Sequence, residues 1–537
     1  MAEGRVWTRS DWPNVPGATV RRRALRGDLV ELRCDAVVVG SGAGGGVVAA
    51  ELAEGGLDVI VLEEGGHHRT ESFDADVARG LRDLYRDGGA QMALGNPPIT
   101  FAEGRCVGGS TVINGGMSWR TPERVLERWH REHWVEGIRP EAMVPWFERV
   151  ERRIAVGKQD PWTIGRDNAL LKEGSDRLGW RVEDNLRDQF HCAGTNNCAF
   201  GCPTGAKRST LVTYVPRAAR FGARVLADCR VDRVLRTRKQ VEGVAGRVLG
   251  PDGRALFRFV VRAPRTILAA GAVQTPNLLL RSGIESPSGQ LGRNLTLHPN
   301  AKVVAVFDER VAGWEGVHQA YQVREFEDQG FVMAAVNVPP AIVAMTLPHY
   351  GRAMQEVLDE YPRTVVGGVL VEDTVSGRVR SVGGQPLTTY QLSRQDGERI
   401  VRGVALTCEL LFAAGARRIV LPFEGVPDLR SPDDVRRLHG TPIPLSAMEV
   451  VTVHIMGTAR MGQDPTRHVV DSWGRFHELA GLWVADASLF PGAIGVNPME
   501  TIMALATRVA ARILDEDGAP PRRAAPVLER SAVGGVS

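Results

Sequence analysis

Cysteine is scarce in this sequence: seven in 537 residues, an odd number. So few thiols in so long a chain do not make a disulfide framework. Long apolar runs are missing too, and no stretch reaches the roughly 18 apolar residues of a membrane span. The opening MAEGRVWTRSDWPN has no apolar h-region, which reads against a secretory signal, and the expected location is cytoplasmic. Nor is there an excess charge of one sign, since 66 basic residues face 63 acidic ones. That balance excludes the concentrated basic face of a nucleic-acid binder, and the run Arg21, Arg22, Arg23 reads as solvated surface. The remainder, 43% hydrophobic and 24% charged, is ordinary for a globular chain with room for two or more domains.

The strongest local signal is CDAVVVGSGAGGGVVAAELAEGGLDVIVLEEGG. An apolar, β-branched run from Asp35 to Val39 leads into Gly40, Gly42 and Gly45, a G-x-G-x-x-G, and a helical pattern follows directly. Glycines at these places allow a tight turn, approach of the backbone to a pyrophosphate, and close helix–strand packing. The helix start offers unpaired N–H groups to phosphate. A second strand, DVIVLE, ends at Glu63, at the distance where a ribose 2′-OH partner is expected. An acid here favours FAD or NAD over NADP, and spacing does not choose between the first two.

Further along, AKVVAVFDE and RTVVGGVLVEDTV read as strands and RIVRGVALTCELLFAAGA as a helix. GLWVADASLFPG and NPMETIMALATRVAARIL return to strand, loop and helix. Nucleotide-site signals at both ends imply one domain assembled from non-contiguous segments. The expected fold class is α/β, a Rossmann-like nucleotide-binding domain with a second, sheet-plus-helix domain over it. The expected divisions are 1–150, 206–299 and 441–515 for the nucleotide-binding part, 151–205 for a cysteine-rich lid, 300–440 for the substrate part and 516–537 for a disordered tail.

Several segments resemble, in order, those of the glucose–methanol–choline family of FAD oxidoreductases. GRCVGGSTVINGG (Gly104 to Gly116) is similar to a loop that lies along the flavin, with Thr111 where Ser is usual and Asn114 at the Asn position. TILAAGAVQTPNLLLRSGI is similar to the second signature. LGRNLTLHP resembles a G-x-N-L-x-D-H-P segment with Leu297 in place of Asp. VHIMGTARMG and GVNPMETIMA resemble the two C-terminal catalytic segments, and CAFGCPTGAKRST is similar to the long-chain alcohol oxidases and related bacterial enzymes.

The resemblance implies alcohol oxidation by hydride transfer to flavin N5, with a small-molecule alcohol as substrate and oxygen or a carrier as electron acceptor. It implies that His454 is the base and that Asn497 hydrogen-bonds the substrate oxygen. Histidine suits the base because its ordinary pKa, about 6.5, lies near working pH. Asn497 before Pro498 also reads as a simple helix cap. The implied cofactor contacts are Gly40, Gly42, Gly45, Glu63, Gly108, Gly109, Ser110, Asn114, Val231, Ala270, Asp486, Pro498 and Met499. The helix from Pro498 would aim its positive N-terminus at the flavin pyrimidine edge. Ile113 stands where some members carry the histidine that bonds FAD covalently, so FAD is expected to be noncovalent. Related non-redox members use the same histidine as a base in cyanohydrin cleavage, which leaves a lyase as the alternative, and a flavoprotein without catalysis is a third reading.

Cys192, Cys198 and Cys202, spaced C-x5-C-x3-C before Pro203, admit two readings. One is a [3Fe-4S] cluster, as some bacterial glucose dehydrogenases of the resembling family carry, which would pass electrons to a carrier. The other is free thiols in a Gly-rich loop. The 300–440 region, with PPAIVAMTLPHYG, offers apolar residues and few charged anchors, which points to a hydrophobic alcohol, and Trp119 reads equally as a pocket wall or a buried structural residue.

Overall fold

The computed structural model describes residues 5–21, 28–439 and 441–516; Arg22, Arg23 and the expected tail beyond Glu516 lie outside the described residues. The β-branched runs read from sequence become the centre of a six-stranded, all-parallel sheet. Its order is Val6–Trp7, Arg224–Leu226, Val59–Leu62, Ala36–Val39, Arg265–Leu268, Leu482–Val484. Continuous apolar strands suit this position because both faces of a parallel sheet are covered. The helix Ala43–Glu54, buried along nearly its whole length, packs between this sheet and the helix Met499–Glu516. Strands from residues 36, 265 and 482 lie side by side, so one sheet is built from distant parts of the chain.

A five-stranded sheet, Cys229–Arg236, Val241–Leu249, Ala255–Arg262, Leu29–Arg33, Thr19–Arg21, stands beside it. A third, mainly antiparallel sheet runs Gln91–Ala93, Ile99–Phe101, Val451–Thr452, Asn300–Val306, Thr364–Val371, Phe331–Ala335, Tyr321–Val323, Val182–Asp184, with Arg418–Val420 also on Asn300–Val306. The helix Arg394–Ala413 covers one face of it, where Val303, Ala305, Val369 and Val371 are buried.

Sheet membership departs from the expected divisions in three places. Gln91–Ala93 and Ile99–Phe101, inside 1–150, Val182–Asp184, inside 151–205, and Val451–Thr452, inside 441–515, all join the third sheet. Strands of two or three residues carry no readable periodicity, so their partners are chosen by tertiary packing. Among the described residues no helix is long and apolar enough to cross a membrane.

The turn between the first core strand and its helix is the tightest joint. Gly40 has φ +100° and its carbonyl lies where a Cβ on Gly45 would fall, at 2.0 Å. Gly45→Ala is therefore expected to cost about 1–3 kcal/mol through overpacking against backbone. The checks are a lowered Tm and a lowered FAD content in purified protein; a variant with parent-like values for both would refute the packing argument.

Candidate functional site

A cavity of about 740 Å³ runs from the Gly-rich turn to the seam between the parallel sheet and the third sheet. Gly40, Gly42, Glu63, Gly109, Ser110, Asn114, Val231, Ala270, His454, Asp486, Asn497, Pro498 and Met499 all line it. Gly45 and Gly108 do not: Gly45 packs on Gly40, and Gly108 donates its N–H to Ser41 Oγ at 2.9 Å. Both act on the shape of the loop rather than on its surface.

The residues fit a dinucleotide. Gly42 caps the helix Ala43–Glu54 without a side-chain bond, so the first-turn amides face the cavity unpaired. A Cβ on Gly42 would have only Gly109 Cα nearby, at 3.8 Å, which leaves a cradle open to a ligand. Glu63 is buried and its carboxylate is pushed up by desolvation. It accepts from Ser41 N (3.1 Å), Ser41 Oγ (2.7 Å) and Gly65 N (2.9 Å), so one carboxylate ties both ends of the nucleotide loops together. Its neighbour Glu64 is held well below the usual carboxylate range, to about 2, by Arg86 and Arg105 against the pull of desolvation. Asp486 accepts from Gly271 N (2.9 Å), from Thr275 Oγ1 and from the amide and hydroxyl of Ser488. Those four donors use the acceptor capacity of a carboxylate, and Asp486 clamps the loop before Gly271. Asn114 spans the loop from Gly104 to Gly116, donating from Nδ2 to Met499 Sδ at 2.9 Å and accepting from Gly116 N at 3.1 Å.

At the far end His454, His298 and Asn497 are buried together. His298 Nδ1 lies 3.1 Å from His454 Nδ1, and His454 Nε2 lies 3.3 Å from the Asn497 side-chain nitrogen. His298 Nε2 accepts two backbone N–H groups, Ile494 (3.1 Å) and Gly495 (3.0 Å). A nitrogen that accepts carries no proton, so His298 holds its proton on Nδ1 and donates it to His454 Nδ1. His454 then carries its own proton on Nε2, facing the cavity, and the Asn497 amide meets that N–H with its oxygen rather than its nitrogen. Freeing Nε2 to accept requires each ring to shift its proton by one place, at the expense of the two amide bonds, about 2 kcal/mol. Burial disfavours the imidazolium at both rings, taking His298 down to about 3 and His454 well below its ordinary value, with His298 and Lys302 adding to the effect at His454. The other end of the buried Asn497 amide has no partner among the described residues.

His298 and Lys302 were not singled out from sequence. The signal for His298 was its place in LGRNLTLHP, and for Lys302 its lone charge in an otherwise apolar strand. The Leu297 position, where an Asp was expected, is compensated in space. Asp373 accepts from Leu297 N (2.9 Å) and His298 N (3.2 Å), and burial raises it to about 7.

Trp119 and the cysteines each had two readings. Trp119 does not line the cavity; its Nε1 donates to Asn185 Oδ1 (2.9 Å) and its ring lies under Arg324. The cysteines do not form a ligand set, since among the described residues no group of three His, Cys, Asp or Glu side chains is placed to hold a metal ion. Each sulfur takes a different donor: Cys192 accepts from Gly194 N (3.5 Å), Cys198 from Arg187 Nη2 (3.5 Å) and Cys202 from Lys207 N (3.4 Å). The buried Lys207 ammonium fixes this loop on the carbonyls of Val112, Asn114 and Cys198.

The comparisons with known proteins agree with this geometry. Models described as GMC oxidoreductase match residues 81–300 and 374–506, and one described as FAD binding domain matches 35–92. A Mycobacterium tuberculosis protein described as an uncharacterized GMC-type oxidoreductase is 38% identical over 481 residues, 89% of this chain and 75% of that protein. The chain belongs to the GMC oxidoreductase family. A long-chain-alcohol oxidase of Arabidopsis thaliana is 30% identical, over 91% of this chain and 68% of its own length. The solved structure of pyridoxine 4-oxidase from Mesorbium loti shares the fold at TM-score 0.68 and 20% identity, covering 89% of this chain and 99% of that one. As a GMC oxidoreductase the protein is an FAD-dependent enzyme of mixed α/β fold.

Glu63→Ala removes the acceptor that ties Ser41 to Gly65 and opens onto the cavity. FAD binding is expected to weaken by at least tenfold, the loss of a charge-assisted hydrogen bond of about 1.5–3 kcal/mol. Titration of apoprotein with FAD, followed by flavin fluorescence, gives the dissociation constant; an unchanged value removes Glu63 from the cofactor site.

Proposed function

We propose that this GMC oxidoreductase oxidises an alcohol with an apolar portion to the carbonyl compound, on noncovalent FAD, with His454 as the base. The observation that carries the reading is the buried His298–His454–Asn497 group in the wall of the cavity that fits the cofactor. Bound FAD supplies the hydride acceptor. His454 Nε2 and the Asn497 amide converge on one point, where a substrate hydroxyl can lie. Asn497 orients the hydroxyl and donates to the oxygen as charge develops on it, without itself titrating. His454 takes the hydroxyl proton at Nε2 in the tautomer that carries its other proton on Nδ1. His298 sets the energy of that tautomer through its two backbone bonds and so acts as a positioning residue. Ile113, at the edge of the flavin loop, cannot bond covalently to a cofactor, which supports noncovalent FAD. Apolar side chains of Val332, Val336, Val338, Ile342 and Met345 form one wall and suit a hydrocarbon portion.

His454→Ala is expected to keep FAD and to slow anaerobic flavin reduction by about 10²- to 10⁴-fold, the usual contribution of a positioned base. Reduction at the parent rate in that variant would remove His454 from the mechanism. Cyanohydrin cleavage without any flavin bleaching would instead assign the site to lyase chemistry. The pH profile gives a second check. Burial lowers the His454 pKa, so the imidazole stays neutral as pH falls through the ordinary histidine value near 6.5. The limiting rate of flavin reduction is expected to hold through that pH and to fall only below it. An acid limb centred at 6.5 or above would show a solvent-exposed base instead.

A further inference from the structure

Lys302, a cation of the chamber, has no counter-ion among the described residues. Lys302 lies on the strand Asn300–Val306, opposite Gly368 on Thr364–Val371, which pairs in turn with Ala334 on Phe331–Ala335. Asn300, Leu370 and Val332 form the parallel row next to it. Alternation of side chains along strands sends all six to the face away from the helix Arg394–Ala413, and all six line the cavity that contains His454. The row across from Lys302, glycine then alanine, has no bulk. A Cβ on Gly368 would fall 2.7 Å from Lys302 Nζ and 3.6 Å from Asn300 Oδ1, so the ammonium lies directly over the glycine with the Asn300 amide beside it.

Neither group is satisfied by the protein. The Lys302 ammonium has no hydrogen bond or ion pair with any described residue, and Asn300 Oδ1 is buried without a partner. None of the cavity's carboxylates, the exposed Asp87 among them, pairs with that ammonium. Glu63 and Asp486 serve the nucleotide loops, and Glu64 and Glu103 face Arg86. Burial alone lowers the Lys302 pKa to about 8, with no acid to hold it up. The half-buried Lys302 faces the cavity, where a bound oxyanion would supply the counter-charge that the protein does not.

We propose that Lys302, with Asn300, anchors an anionic group of the substrate, so that the enzyme acts on a hydroxy compound carrying a carboxylate or phosphate. This rests on the alcohol-oxidation reading above and names the substrate class for it. The hydroxyl lies at His454 and Asn497, and the oxyanion over Gly368. Asn300 pairs with Val451, three residues before His454, and Lys302 is two residues further along its strand, about 7 Å at the rise of a strand. A short hydrocarbon spacer against Leu370 and Val332 joins the two ends.

The test uses holoenzyme and anaerobic stopped-flow reduction of the flavin. The substrates are 4-hydroxybutanoate, 6-hydroxyhexanoate and 8-hydroxyoctanoate, the neutral 1-alkanols of equal length, and the monophosphate of 1,6-hexanediol. At least one anionic compound is expected to bind about ten- to a hundredfold tighter than its neutral partner. The carboxylate and phosphate arms identify which oxyanion the site takes. Lys302→Met should abolish that preference, and Lys302→Arg should keep most of it. Hexanoate, which cannot be oxidised, should perturb the flavin spectrum of the parent enzyme and not of Lys302→Met, a readout that needs no turnover. Neutral alcohols binding as tightly as the anions, or hexanoate binding unchanged by Lys302→Met, would overturn the anion site. Loss of FAD in Lys302→Met would also overturn it, by placing the ammonium against the cofactor. If hexanoate binds through Lys302 but no hydroxy compound bleaches the flavin, the anion site stands and the oxidation reading fails.

Discussion

The whole arrangement depends on how closely backbones meet at the turn from Gly40 to Gly45. A strand, a helix and the loop around Gly109 converge there, with glycine presented on every side. Because no side chain intervenes, the first-turn amides of the helix reach the cavity surface unpaired, ready for phosphate. The same closeness brings Ser41 onto the Glu63 carboxylate and, through its hydroxyl, onto Gly108 of the flavin loop. Polar groups that would otherwise be orphaned in the interior are thus spent on holding the cofactor loops in register, and Asp486 does the same for the loop before Gly271.

The His454 end of the cavity rests on a different constraint, the desolvation of two adjacent imidazoles. Neither is favoured in its charged form, so hydrogen bonding decides where each proton sits. The amides of Ile494 and Gly495 set the tautomer of His298, and His298 sets that of His454. The chain segment that carries Asn497 therefore controls His454 twice, through the asparagine side chain and through the backbone three and two residues before it. Beyond this group the antiparallel sheet offers an apolar wall interrupted by Lys302 and Asn300. The chamber is consequently not the uniformly hydrophobic pocket that the residue types of the 300–440 region suggest. One lysine at the inward parity of a central strand puts a charge on an otherwise apolar wall.

Much of this was legible in the sequence because it depends on short-range order. The glycine spacing, the β-branched runs on either side and the acid at Glu63 need only the neighbouring residues to be read, since a tight turn, a buried parallel strand and a helix start are local demands on side-chain size and backbone freedom. His454 and Asn497 were named only because the continuous segments around them resemble those of the family, since one histidine among 12 carries no local mark of its role. What the tertiary structure alone decided is every relation across long separations. His298 meets His454 across 156 residues, and Asp373 serves the amides beside Leu297 from 76 residues away. The buried Lys207 ammonium ties the cysteine loop to the carbonyls of Val112 and Asn114, 95 and 93 residues away. Lys302 became informative only when strand register laid it over Gly368. Local pattern specifies which way a residue's own element runs, whereas partners, protonation and the absence of a counter-ion follow from packing among segments that no window of sequence contains together.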